Sequence, residues 1–256
     1  MGAVRRGQRG STKARRAGVG MRLSGDARDR WTDAEFAAEW DRAADVGNPA
    51  RAEQLDLLAH LVARRYRPGG VVLDLGAGSG LVAARVLAAV PEARIVAVDS
   101  SPAMTELARR RLQGTGDRVV FIQGDIADLS AVALPRADYQ FVLLVQVLHH
   151  IPHPAKERLL TRLYSLLPAD GTAIIMDRIG LAPASLAPIF GAAWEWEESR
   201  AAQKSGWDAR TFLGRLAAKD DHPATLDEHV AMLRAAGFAA ACIHLRLNRA
   251  VFVATK

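Results

Sequence analysis

Three glycines at alternate positions, Gly76, Gly78 and Gly80, follow the apolar run Val71-Val72-Leu73-Asp74-Leu75. Glycines so placed permit a tight turn and let the backbone come close to a ligand. The stretch Leu81 to Ala89 then reads as a helix, so the turn joins a buried strand to a helix, the opening of a nucleotide-binding βαβ unit. A second apolar run, Arg94 to Asp99, ends in an acid nineteen residues past Gly80. A carboxylate at that strand tip can accept hydrogen bonds from both hydroxyls of a ribose, and it would repel a 2′-phosphate. In a plainer role Asp99 caps the helix that opens at Ser100-Ser101-Pro102. Asp125 follows a third run, Val119 to Gln123, and His149-His150 follow a fourth. Histidine suits general-base work near neutral pH. The plainer reading of the pair has one ring packed or hydrogen-bonded and the other in solvent.

The spacing excludes two common nucleotide sites. A dinucleotide fingerprint needs glycine or alanine at position 81, where Leu81 stands, and no Gly-Lys-Ser/Thr follows to make a P-loop. Gly76-Ala77-Gly78-Ser79-Gly80, behind a strand carrying Asp74, resembles motif I of the class I S-adenosylmethionine-dependent methyltransferases. Val145-Gln146-Val147-Leu148-His149-His150 resembles motif IV of their small-molecule members. The bend Leu167-Pro168-Ala169-Asp170-Gly171 and the closing run Leu233-Arg234-Ala235-Ala236-Gly237-Phe238 extend the resemblance, which covers about residues 50–176 and 223–256.

The resemblance implies an α/β, three-layer Rossmann-like fold. Its seven-stranded sheet would have five parallel strands and an antiparallel C-terminal hairpin, with S-adenosylmethionine over the carboxyl ends of strands one to four. Residues implied to line the cofactor are Asp74, Gly76, Ala77, Gly78, Gly80, Asp99, Ser100 and Met104. Asp125 would take the adenine amino group, Ile126 would offer its backbone N–H to the ring, and Val145 and Gln146 would meet the methionine part. The implied reaction is an in-line displacement at a sulfonium methyl, for which holding the acceptor in place contributes several kcal/mol. His149 and His150 are the catalytic candidates, needed only if the acceptor starts protonated. Asp177, Arg178, Trp194 and Trp196 are candidates for the acceptor pocket. No metal is expected: His149, His150 and His153 lack i, i+4 spacing and have no obvious acidic or cysteine partner.

The elements that must position these groups are legible from periodicity. Thr32 or Asp33 caps a helix carrying Phe36 and Trp40, and a second helix runs from about Ala50 to Tyr66. Further strands are read over Asp138–Leu144 and Thr172–Asp177, with a helix over residues 154–167 between them. Thr225 starts a helix ending at Gly237, and residues 238–245 and 249–254 form a hairpin. All five tryptophans lie in the first helices or in residues 178–222, which suggests a cap over the site; most must simply bury that cap.

Half of the residues are hydrophobic, enough for a substantial core, and the single cysteine, Cys242, excludes a disulfide framework. Residues 1–22 hold seven basic residues and no acid against a net charge of +6, so the rest is close to neutral. The domain reading is a disordered basic tail at 1–22, an N-terminal helical cap at 23–66, and a cofactor-binding domain at 67–256 with a cap insertion at about 178–222. No run of about 18 apolar residues exists, so no membrane span is expected. The expected enzyme is cytoplasmic, bacterial from its Ala- and Arg-rich composition, and acts on a small-molecule acceptor; a homodimer is left open. Three alternatives stand beside it. The N-terminal helices and the Asp99-Ser100-Ser101-Pro102-Ala103-Met104 run also resemble carboxy-S-adenosylmethionine synthase of tRNA wobble-uridine modification, although its cofactor loop usually differs. The basic tail would suit an RNA methyltransferase, and a non-catalytic cofactor-binding protein comes last.

Overall fold

The computed structural model describes residues 29–44, 48, 50–181, 183–201, 205–216 and 221–256. The expected tail at 1–22 lies outside them, as does the start of the expected cap at 23–28.

Strand β1 (Val71–Leu75) is the centre of a seven-stranded sheet, pairing in parallel with β2 (Arg94–Asp99) on one side and β4 (Phe141–Val145) on the other. Outward from these lie β3 (Val119–Gln123) and β5 (Thr172–Arg178), also parallel. The C-terminal hairpin of β6 (Ala239–Arg246) and β7 (Arg249–Thr255) adds antiparallel through β7, giving the order β3-β2-β1-β4-β5-β7-β6. The chain crosses from β1 to β2 on one side and later returns to β4 on the other. A crevice therefore opens at the carboxyl ends of β1, β2 and β4, where such sheets bind ligands.

Every residue of β1, β4 and β5 is buried, which is why these strands are continuous apolar runs rather than alternating ones. Successive side chains serve opposite cores. Leu73, Leu75, Leu144 and Ile175 pack toward α5 (His153–Leu166) and α8 (Leu226–Ala235). Val72, Leu143, Ile174 and Met176 pack toward α2 (Arg51–Arg65) and α3 (Leu81–Ala89). Each fully buried Leu or Val among them contributes about 1.5–3 kcal/mol. Edge strand β6 instead alternates between exposed and half-buried residues, with an irregularity between Cys242 and His244.

Of the two capping residues open in the sequence, Asp33 caps α1 (Ala34–Ala43), accepting the Phe36 N–H at 2.7 Å. Thr225 and Glu228 form a reciprocal capping box on α8. The fourth strand starts three residues later than the sequence suggests. Gln140 serves as a cross-link: its side chain accepts the Arg67 N–H at 3.1 Å and donates to the Arg65 carbonyl at 2.7 Å. Between β5 and α8 lie α6 (Ala187–Arg200) and α7 (Ala209–Leu216). Among the described residues no helix is long and apolar enough to cross a membrane.

Candidate active site

The glycine turn is held from below and open above. The N–H groups of Gly76 and Ala77 both donate to the Val98 carbonyl of β2, at 2.8 and 3.0 Å. Gly76 has φ +70°, and a Cβ there would stand 2.3 Å from Val147 Cγ2, so no side chain fits. Gly78 has φ +54° but faces open space, its nearest neighbour being the Gly76 carbonyl oxygen at 3.9 Å. One glycine thus closes the turn against β4's exit, and the other leaves its upper face to a ligand. Gly80 caps α3.

Two acids sit under and beside the turn. Asp99 accepts the Gly78 N–H on Oδ2 at 2.7 Å and the Ser101 N–H on Oδ1 at 2.8 Å. Asp99 therefore ties the turn to the start of α4 (Pro102–Arg111), and burial raises its carboxyl pKa. Asp74 is buried, and neither carboxylate oxygen has a partner among the described residues. Burial, with the Asp99 charge adding to it, pushes Asp74 up to about 7. Ser100 is exposed and Met104 is buried. Asp125 is exposed and caps the short 3-10 run that follows, accepting the Ala127 N–H at 2.9 Å, and Ile126 beside it is buried.

Helix α1 closes over this edge. Asp41 accepts from the Ser79 hydroxyl of the turn and, at 2.7 Å, from Arg111 Nη2 of α4. The Ser101 hydroxyl donates to the Trp31 carbonyl, and the Trp31 ring meets His150 edge-on at 6.2 Å. One N-terminal segment therefore reaches from the second strand's tip to the end of the fourth. Nothing in the sequence pattern links Trp31 or Asp41 to the turn.

At the end of β4, Val145 is buried and Gln146 adopts φ +58°. Gln146 accepts from Arg249 Nη1 at 2.7 Å, while its own Nε2 is buried without a partner among the described residues. The two histidines then diverge in environment. His149 is buried, with Nδ1 2.5 Å from Asp177 Oδ1, and its backbone N–H donates to Asp177 Oδ2 at 2.8 Å. Burial drives His149 down to about 4 despite the Asp177 charge, so the ring is neutral. Burial alone would raise Asp177, but the His149 ring, His229 and the Arg178 N–H overturn that and keep it ionised.

His150 is exposed, with Nδ1 2.7 Å from Asp221 Oδ1. Burial would raise Asp221 too, but the His150 hydrogen bond and the Arg178 charge hold it far below the usual carboxylate range. Arg178 Nη2 donates to Asp221 Oδ2, and the His222 N–H donates to the His149 carbonyl at 2.6 Å. Lys156, buried on α5, donates to the His222 carbonyl, so residues 221–222 strap the histidine pair. The expectation that the pair lacks an acidic partner is therefore corrected. Asp177 and Asp221 both serve it, from 28 and 71 residues away, and no local spacing betrays the second.

Arg178 stands opposite Arg249 across β5 and β7. Burial, then the Arg178 charge, lowers Arg249 to about 10, which leaves it protonated. The tryptophans are placed otherwise. Trp194 is buried in a stack with Phe212 at 4.5 Å and Trp207 at 5.8 Å, its Nε1 donating to the Trp207 carbonyl. Trp196 is 59 % exposed, with the Arg200 guanidinium over its ring.

A crevice at a glycine turn flanked by strand-end acids, on a sheet with this strand order, is the layout of a Rossmann-like nucleotide-binding fold. A family model described as a methyltransferase domain matches residues 72–171. A phenazine O-methyltransferase of Lysobacter antibioticus is 31% identical over 160 residues, covering 61% of this chain and 45% of that one. A carboxy-S-adenosyl-L-methionine synthase of Wolinella succinogenes is 30% identical over 154 residues, covering 57% of this chain and 60% of that one. The fold is shared with an O-methyltransferase family protein of Burkholderia thailandensis, at TM-score 0.65 and 17% identity over 90% of this chain and 62% of that one. The chain spans about half the length of the curated relatives it matches. Over residues 72–171 the chain is thus similar to methyltransferase domains, and its fold is the Rossmann-like fold of class I S-adenosylmethionine-dependent methyltransferases.

Proposed function

We propose that the protein transfers a methyl group from S-adenosylmethionine to a protonated oxygen or nitrogen of a small-molecule acceptor. The observation that carries the reading is the buried His149–Asp177 pair at the ends of β4 and β5, beside an open glycine turn. S-adenosylmethionine, when bound, supplies a methyl already activated by the sulfonium charge.

The residues present suit that cofactor. Gly78 leaves room where a side chain would intrude, and the unpartnered Asp74 oxygens would answer the methionine ammonium, directly or through water. Asp99 keeps lone pairs for the ribose hydroxyls beyond the two backbone bonds it accepts. Asp125 and the Ile126 N–H would hold the adenine edge, with Met104 and Ser100 alongside; Val145 and Gln146 would border the methionine part. His149 then has one task. With Nδ1 committed to Asp177, the Nε2 lone pair is left as the one that would take the acceptor proton. Arg178 and Trp31, next to His150, would border the acceptor. The relatives' bacterial sources fit a bacterial cytoplasmic enzyme.

The test is transfer of isotopic label from S-adenosylmethionine to a panel of phenols, carboxylic acids and amines. Labelled product, lost in His149→Gln with cofactor binding retained, is expected. Transfer undiminished in that variant would remove His149 from the chemistry.

A second reading is kept by one observation. Several relatives of the carboxy-S-adenosyl-L-methionine synthase kind align, one of Klebsiella pneumoniae at 25% identity over 220 residues. Arg178 and Arg249 side by side would suit the carboxylate that such chemistry handles.

A further inference from the structure

We propose that His149, His150 and Asp221 form a binding site for one borderline divalent transition metal ion, of the zinc or cobalt kind. One ligand atom from each of the three lies within 4.8 Å of the others. Ligands around a tetrahedral ion with bonds of about 2.0–2.2 Å stand roughly 3.4 Å apart, so side-chain adjustment within the cluster would be needed to close on the ion. Two imidazoles and one carboxylate, with further positions open, make an established donor set for such ions.

The neighbours prepare each ligand. Asp177 holds His149 Nδ1 at 2.5 Å and its backbone N–H at 2.8 Å, which fixes the ring and leaves Nε2 as the donor. A carboxylate behind a ligating histidine is the usual outer partner of a bound metal. Arg178 occupies Asp221 Oδ2 and leaves Oδ1, now on His150 Nδ1, for the ion. The His222 N–H on the His149 carbonyl and Lys156 on the His222 carbonyl fix the strap that delivers Asp221.

The surroundings also select the ion. Arg178 and Arg249 offset part of the charge of Asp177 and Asp221, so the site holds a cation through its nitrogen donors more than through charge. Magnesium and calcium, which want several oxygen ligands, are disfavoured. The metal site stands on this geometry alone. Its use to bind an acceptor hydroxyl at an open position and lower the pKa of that hydroxyl rests on the methyl-transfer reading; the proton then passes to solvent water, because His149 Nε2 would be on the ion.

The experiment is a Co2+ titration of chelator-treated full-length protein without a histidine tag. Visible d–d absorption and elemental analysis report the metal, and calorimetry reports S-adenosylmethionine binding in the same samples. The expected result is one Co2+ per chain, displaced by Zn2+ and not by millimolar Mg2+. Asp221→Asn and His150→Gln should each weaken the metal about 100-fold or more while leaving cofactor affinity unchanged. His150 is exposed, so its variant keeps the test open if Asp221→Asn does not fold. No band in the wild type, or a band undiminished in His150→Gln, overturns the site. Loss of cofactor binding with the metal band intact would instead count against the methyl-transfer reading.

Discussion

The Asp177 carboxylate grips His149 twice, through the ring at 2.5 Å and through the backbone N–H at 2.8 Å. One acid on β5 thus sets both where the histidine sits and which nitrogen it presents. Removing it leaves a buried N–H and a buried ring nitrogen unanswered, at a cost of about 1–3 kcal/mol each. Asp177→Ala should therefore lower Tm by several degrees, about 2–4 °C per kcal/mol. Turnover should fall by about 10²–10⁴ as the base loses its orientation. Calorimetry and label transfer check both, and an unchanged rate would show the pair to be structural only.

Asp74 makes the fold sensitive to pH. Its folded pKa of about 7 exceeds the ordinary value of 3.8, so between those values the folded chain holds a proton that the unfolded chain has released. Its contribution to stability is therefore full below about pH 4 and lost as pH rises toward 7, at most about 4 kcal/mol. Asp74→Asn should flatten this slope in denaturation curves collected from pH 4 to 8. A cationic group bound at Asp74 favours the ionised form, so wild-type cofactor affinity should rise with pH through about 7 and the variant's should not. Identical pH profiles for both proteins would exclude Asp74 from the ammonium.

Gly76 and Gly78 separate folding from binding. In Gly76→Ala the new methyl meets Val147 at 2.3 Å, and the variant should lose about 2–4 kcal/mol or fail to fold. In Gly78→Ala only the backbone strain remains, about 1–2 kcal/mol, because the methyl enters open space. That space is where the cofactor belongs, so Gly78→Ala should stay folded and lose affinity at least tenfold. A folded Gly78→Ala with normal affinity would move the cofactor off the turn.

The Asp41 bridge between Ser79 and Arg111 pins α1 over the cleft. The pair is partly exposed, so its loss should cost only about 1 kcal/mol. Asp41→Asn should speed cofactor release about fivefold with little change in Tm, as read by stopped-flow displacement. An equal loss in Tm and affinity would mean that α1 supports the fold rather than the ligand.

Much of this arrangement was legible because it is local. Strands β1 to β3 and helix α3 follow the sequence reading closely, since each is a buried apolar run closed by glycine or aspartate. The placement of Asp99 at the glycine turn follows from the same pattern. What escaped depends on long-range packing. Asp221 meets His150 across 71 residues through an insertion without periodic signal. Trp194, taken as a pocket residue from its position after β5, is occupied by its stack on Phe212, and nothing short of the packing distinguishes these uses of an indole. The start of β4 escaped because Gln140 looks strand-compatible while its amide is spent on the Arg65 carbonyl and the Arg67 N–H at the end of α2.

Mass spectrometry of the small molecules released on denaturing the purified protein, paired with calorimetric titration of S-adenosylmethionine, tests the account most directly. Released S-adenosylmethionine or S-adenosylhomocysteine, or one-to-one binding of the former that fails in Asp99→Ala, is the expected result. A carboxylated form of the cofactor would bring the synthase reading forward. A protein that releases nothing and binds no added S-adenosylmethionine would contradict the assignment of the glycine turn to that cofactor.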